Sequence, residues 1–240
     1  MKQASAGRPI AWIIATRNTH KVEEIRAILG NKFRYLTLKD FPEAPTVVED
    51  APHFAGNATK KALELSRWIA ARIESLAPEV RGSELWVLAD DSGLEVDALD
   101  GAPGVHSARF AALDCVDAAS AGNSKDHDNN AKLLRLLQDM PLEKRTARFR
   151  CVIAITPVVV EPTNGSNVCL SNEAELRTEL FDGTCEGRIA FAPSGKGGFG
   201  YDPLFIPNGY KQSFAELGED AKNRLSHRAK ALEKLRQVKR

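Results

Sequence analysis

The sequence predicts an α/β fold built on a mixed sheet. Two observations lead there. In the first half, short apolar runs alternate with segments whose apolar residues recur at steps of three and four. In the second half, apolar β-branched runs follow one another across a polar, turn-rich stretch and pair locally.

Ile10 to Ala15 reads as a buried first strand, and Thr16 to His20 as a polar turn. Val22, Ile25, Ile28 and Leu29 keep helical spacing, and Gly30 supplies a stop. Residues 54–77 carry the longest helical pattern, through Ala58, Ala62, Leu65, Ile69, Ile73 and Leu76. Asn57 and Lys61 are four apart and share a face beside that stripe. An apolar strand, Leu85 to Ala89, then runs into two adjacent carboxylates, Asp90 and Asp91, where it is expected to end. Leu133 to Leu137 suggest another helix, and Phe149 to Val160 a core strand. Residues 161–172 are expected to tip a hairpin whose return strand lies near Glu173 to Phe181. A glycine-rich loop, Pro193 to Pro203, precedes a last helix with Ala229, Leu232 and Leu235 on one face.

Length and composition narrow the function classes. The 240 residues fit one domain of two lobes or two small domains. No repeat, low-complexity linker or clean boundary appears, so residues 1–240 are read as a single domain. The hydrophobic fraction of 43% and charged fraction of 27% are ordinary for a globular protein. A net charge of +1 creates no global field for nucleic acid or an anionic membrane, so anion recognition has to be local. The N-terminal apolar run is too short for a signal core or a membrane span. The four cysteines, at 115, 151, 169 and 185, contain no CxxC, which argues against zinc. A cytoplasmic protein with reduced thiols is expected. The sequons at Asn57 and Asn164 are then chance matches.

Four stretches carry chemistry. Asp90 and Asp91 should point to opposite faces of their strand. One carboxylate at a strand's carboxyl end suits a hard cation or a general base. Alternatively, Asp-Asp-Ser-Gly is a strand-ending turn. Thr16 to Lys21 lies between a strand and a helix N-terminus, where N–H groups and the helix dipole favour an anion. The alternative is a cap supplied by Asn18 or Thr19. In Pro193 to Pro203, glycines let backbone approach a ligand, Phe199 and Tyr201 offer flat faces to a base, and Asp202 offers an acceptor. A loose surface loop is the alternative. Lys222, His227 and Arg228 can converge on an anion or a base edge, or form a solvated basic face.

Together these stretches resemble the inosine triphosphate pyrophosphatase, or Ham1-like, family. The resemblance rests on ATRNTHK at 15–21, FAGNATKKA at 54–62, ADDSGLEVDALDGAPGVHSARF at 89–110, GGFGYDPLF at 197–205 and KNRLSHRAKAL at 222–232. It implies an elongated mixed sheet flanked by helices, two lobes with the active-site cleft between them, Mg²⁺ as cofactor and a homodimer. It implies hydrolysis of ITP, dITP and XTP to the monophosphate and pyrophosphate, which clears deaminated purines from the nucleotide pool. By that resemblance Asp91 is the catalytic base and a metal ligand, with Glu49 helping to hold the metal. Thr16, Arg17, Asn18, Thr19, His20 and Lys21 form the phosphate-binding turn, where Arg17 and His20 replace the usual glycines. Asn57, Lys61 and Ser92 contact substrate. Phe199, Gly200, Tyr201 and Asp202 bind the base, and Lys222, His227 and Arg228 surround base and phosphates. The segment before Glu49 departs from the family pattern, which leaves Asp50 as an alternative to Glu49. Two other readings are a Maf-like pyrimidine nucleotide pyrophosphatase and a nucleotide-binding protein without catalysis.

Overall fold

The computed structural model describes residues 9–114, 122–159 and 177–238. Six strands form one open mixed sheet in the order β2-β1-β3-β4-β5-β6: β1 (Ile10–Ile14), β2 (Arg34–Thr37), β3 (Glu84–Val96), β4 (Thr146–Pro157), β5 (Glu179–Ile189) and β6 (Phe205–Pro207). β1 runs parallel to both β2 and β3, and β5 antiparallel to β6. The flanking helices are α1 (Thr19–Leu29), α2 (Phe54–Ala70), the single turn α3 (Pro78–Arg81), α4 (Asp126–Leu136), the short α5 (Phe214–Leu217) and α6 (Glu219–Leu225), and α7 (His227–Val238). Among the described residues no helix is long and apolar enough to cross a membrane.

The described chain divides into two compact units, each assembled from separate segments. One holds residues up to Ala51, then Ala55–Asp90 and Ile153–Phe181; the other holds Pro52–Phe54, Asp91–Val152 and Asp182 onward. The division falls inside β3, at the peptide bond between Asp90 and Asp91.

In the first unit β1 is buried along nearly its whole length, and its Trp12 meets Phe33 edge-on and lies against Trp86. β1 leads through α1 to β2 on one side and is paired with β3 on the other. The strand order therefore reverses at the carboxyl end of β1, where open α/β sheets place their ligands. α1 buries Ile25 and Leu29 and stops at Gly30, whose φ is 78°. α2 ends at Ala70, short of the expected Ala77. The bonds tighten there, with Arg72 N–H donating to Ile69 O, and Arg72 stacks on Trp68. Pro78 then holds Ala77 in an extended backbone, so Ile73 and Ser75 close only a 3₁₀ turn. Asn57 is buried on α2, so its sequon is no glycan acceptor.

The second unit has its own apolar core of Leu94, Val96, Leu133, Leu137, Phe149, Phe205 and Phe214, among others. Phe149 stacks on the His227 ring at 4.8 Å, and Phe205 stacks on Phe214. Ala229, Leu232 and Leu235 of α7 are all buried, as their spacing requires. Arg145 is 2% exposed and faces no carboxylate. Its guanidinium instead donates to the carbonyls of Met140, Ala190 and Leu137, while Phe191 covers it. Cys151 and Cys185 are buried in β4 and β5. The expected hairpin tip at 161–172, with Asn164 and Cys169, lies outside the described residues. So do Cys115 and residues 173–176. The return strand begins later than expected, at Glu179.

β3 corrects the expectation of a strand that ends on two charges. It continues for thirteen residues, straight through Asp90, Asp91, Ser92 and Gly93 to Val96. Gly93 is not a turn glycine. A Cβ there would lie 2.4 Å from Gly104 O and 2.5 Å from Ser107 Oγ, so the residue marks a close approach. Ser107 Oγ donates to Gly104 O and accepts from Leu94 N–H, which ties the strand to the turn at Gly104–Arg109.

Candidate active site

In the first unit, pairing of β1 with β3 reaches Ile14 opposite Leu88, with Ala15 N–H donating to Leu88 O. β3 projects past the end of its neighbour, and the next acidic residue, Asp90, lies just beyond. Asp90 is 2% exposed and Lys21 of α1 donates to its Oδ1. A carboxylate so buried is tolerated because a cation meets it. Asp90 is thus a buried carboxylate paired with Lys21, at a position to which the family resemblance assigned no site role.

Lys61 closes the same place from α2. Its Nζ donates to Asp90 O at 2.7 Å and to Glu49 Oε2 at 3.2 Å, so one ammonium ties Glu49 to the β3 backbone. Asp50 turns the other way and pairs with Lys60 on the exposed surface, which holds its carboxyl below the usual range. Asn57 Oδ1 accepts from Ala51 N–H at 2.9 Å, which fixes the segment carrying Glu49 and Asp50 to α2.

The first turn behaves as a cap. Asn18 Oδ1 accepts from the N–H groups of His20 and Lys21, and Thr16 Oγ1 accepts from Asn18 N–H. The capping alternative is thus realised by Asn18, not by Thr19, and it occupies two of the amides expected to face an anion. Lys21 projects from the first turn of α1 to Asp90. Arg17 donates to Ala44 O at 3.3 Å, while His20 lies exposed 3.8 Å from Glu23.

In the second unit, Asp91 is 6% exposed on β3 and Ser92 Oγ accepts from Arg228 Nη2 at 3.0 Å. Arg228, at the start of α7, is 1% exposed and its guanidinium lies 5.9 Å from the centroid of Phe199. Lys222 on α6 sits over the same ring at 4.1 Å. Each cation lies within about 6 Å of the ring centroid, where the ring quadrupole attracts it. Lys222 is itself buried against Asp202, 2.5 Å from Oδ2, and that oxygen also accepts from Phe199 N–H. Of the Asp202 carboxylate, which the sequence offers as an acceptor for a purine edge, Oδ2 organises the loop and neutralises Lys222.

The glycine-rich segment is pinned rather than loose. Ser194 N–H donates to Pro203 O, Gly197 N–H to Ala215 O and the Tyr201 hydroxyl to Ser107 O at 2.9 Å. Burial holds the Tyr201 phenol well above its usual pKa, so it stays a neutral donor. Gly200 is bonded on both sides to α4, by Asp126 and by Asn130. Sequence reasoning missed Asp126, Asn130 and Ser107 altogether. The only local signal was that Asp126 and Asn130 stand four apart on a helix.

Glu49 in the first unit and Asp91 in the second each carry a carboxylate, the donor type a hard cation takes, and Mg²⁺ needs only one or two carboxylates when phosphates complete its shell. Among the described residues no group of three or more His, Cys, Asp or Glu forms a protein-only cage.

Comparison with known proteins places the chain among relatives. The sequence pattern of the Ham1 family matches residues 12–238. A dITP/XTP pyrophosphatase of Desulforamulus reducens is 46% identical over 228 residues, covering 94% of each chain. The structure of a HAM1 protein from Coxiella burnetii superposes with a TM-score of 0.72 at 31% identity, over 95% of this chain and 98% of that one. A nucleoside-triphosphatase and dITP/XTP pyrophosphatase from Mycobacterium abscessus gives 0.61 at 34% identity, over 94% and 98%. The chain belongs to the Ham1 family.

Proposed function

We propose that the protein hydrolyses deaminated purine nucleoside triphosphates, ITP, dITP and XTP, to the monophosphate and pyrophosphate. The observation that carries this reading is Arg228. It donates to Ser92, the residue after Asp91, and lies 5.9 Å from the Phe199 ring, so an aromatic face for a purine stands beside the strand that bears a carboxylate for hydrolysis. The names of the similar proteins support the same substrates.

In this reading Asp91 orients a water and takes its proton as the oxygen attacks the α-phosphorus, and the α–β bridging oxygen leaves with pyrophosphate. Lys21 and Lys61 neutralise charge on the phosphates. Glu49 and Asp91 would hold Mg²⁺, which when bound supplies further neutralisation of the phosphate oxygens. Phe199 stacks on the base. Arg228 and the N–H groups near His227 donate to O6 of a 6-oxo purine. Facing those donors with the amino group of adenine costs about 1–3 kcal/mol per unpaired donor. A cytoplasmic homodimer belongs to the same proposal, to be checked by light scattering of the purified chain.

Pyrophosphate release from ITP, XTP, dGTP, ATP, dTTP and UTP with Mg²⁺ tests it. Rates for ITP and XTP about a hundredfold above ATP are expected, corresponding to nearly 3 kcal/mol of discrimination. Preference for dTTP or UTP would transfer the protein to pyrimidine chemistry. Binding without release would leave a nucleotide-binding protein.

A further inference from the structure

Gly200 is held on both sides by one helix. Its N–H donates to Asp126 Oδ2 at 2.6 Å, and its carbonyl accepts from Asn130 Nδ2 at 2.9 Å. Asp126 and Asn130 lie one turn apart on α4, so both reach the same neighbour. The N–H belongs to the peptide joining Phe199 to Gly200, and the carbonyl to the peptide joining Gly200 to Tyr201. The two bonds therefore fix the two peptide planes around a residue with φ 63°. A Cβ at Gly200 would meet nothing within 4 Å, so the backbone conformation, not crowding, requires glycine.

The two planes govern two aromatics with opposite fates. Tyr201 turns inward, 4% exposed, and donates to Ser107 O. Phe199 stays half-buried beneath Lys222 and Arg228. A glycine between them is the one link able to rotate freely, and its rotation would carry the Phe199 ring away from both cations. Asn130 adds a second indication. It is 8% exposed and its Oδ1 has no partner among the described residues, a cost that its bond to Gly200 offsets.

We infer that Asp126 and Asn130 are positioning residues for purine selection, which set the Phe199 ring for stacking without touching the nucleotide. The inference rests on the nucleotide-hydrolysis reading above. Losing one such bond leaves the ring in several orientations and weakens base binding, while the chemistry at Asp91 is unaltered.

The test compares wild type with Asp126→Ala, Asp126→Asn and Asn130→Ala, assayed with ITP, dGTP and Mg²⁺ well below each unfolding midpoint. Asparagine at 126 keeps a carbonyl acceptor for the Gly200 N–H; alanine does not. Asp126→Ala and Asn130→Ala are expected to raise KM for ITP roughly three- to tenfold with kcat within about twofold, and to narrow the preference over dGTP. Asp126→Asn is expected to recover KM to within about twofold. An unchanged KM in Asp126→Ala, a loss confined to kcat, or asparagine no better than alanine would each overturn the assignment. If wild type releases no pyrophosphate from ITP, the hydrolysis reading fails on its own. The clamp is then judged by calorimetric binding of inosine monophosphate, where weaker binding to Asp126→Ala than to Asp126→Asn supports it and equal binding overturns it.

Discussion

Lys222 is buried to 4% exposure against Asp202, and its ammonium also lies over the Phe199 ring. One ion pair thus sets both the fold of the glycine-rich loop and the charge presented to a stacked base. Removing one partner strands a buried charge, which costs about 3–5 kcal/mol, whereas replacing both with uncharged residues costs far less. Lys222→Met is therefore expected to lower stability by about 3 kcal/mol, and the Lys222→Met/Asp202→Asn double variant by clearly less than the sum of the singles. Urea unfolding of the four proteins measures the coupling, and strict additivity would show that the pair contributes nothing.

Asp91 is the carboxylate assigned to the water. Asp91→Asn keeps the shape and removes the base, so kcat is expected to fall by about 10²–10⁴ with KM changed only a few-fold. Steady-state kinetics with ITP decide it. Activity within a few-fold of wild type would take Asp91 out of the base role.

Glu49 and Asp50 are adjacent but unlike. Glu49 is tied through Lys61 to the backbone of Asp90, and Asp50 pairs with Lys60 at the surface. Glu49→Gln is expected to raise the Mg²⁺ concentration for half-maximal activity about tenfold or more, and Asp50→Asn by less than about twofold. Magnesium titrations at fixed ITP compare them directly; the reverse pattern would assign the metal to Asp50.

Acid should weaken the fold through identified carboxylates. Besides Asp50 beside Lys60, hydrogen bonds hold four more carboxyls below their usual range. Thr146 and Arg148 act on Asp97, Lys132 and Arg135 on Asp114, Lys234 on Asp182, and Ser213 N–H and Ser194 on Glu216. Each has a lower pKa folded than unfolded. Its contribution is complete above the unfolded value of about 4 and is lost as pH falls from there through the folded value. These are exposed groups, so the contribution should shrink in high salt. Tm is expected to hold from about pH 7 to 5 and to fall below about pH 4, less steeply in about 1 M salt. A Tm flat down to about pH 3 would show that these pairs are too weak to matter.

Local pattern was enough to read much of the molecule. β1, α1, α4 and α7 followed from apolar spacing because each buries one stripe against the sheet, and burial demands that spacing in the chain itself. The stretches bearing candidate residues were legible for the same reason, since loop glycines, caps and clustered charges are local. The failures came where distant residues override local preference. Asp-Asp-Ser-Gly has the composition of a turn, yet it is mid-strand. Lys21, 69 positions away, meets the charge of Asp90, and Ser107, 13 positions away, binds the Leu94 N–H.

The sequence by itself determined the α/β class, the family resemblance and which residues carry charge, aromatic surface and oxygen donors. Tertiary structure alone decided their assignments. It gave Asp90 to Lys21, turned Asp202 inward to Lys222, chose Glu49 over Asp50 as the residue tied to β3, and bound Gly200 to Asp126 and Asn130. The physical reason is that a buried charge or amide must find its partner wherever the fold brings one, and a single chain's local spacing does not specify partners tens of positions away.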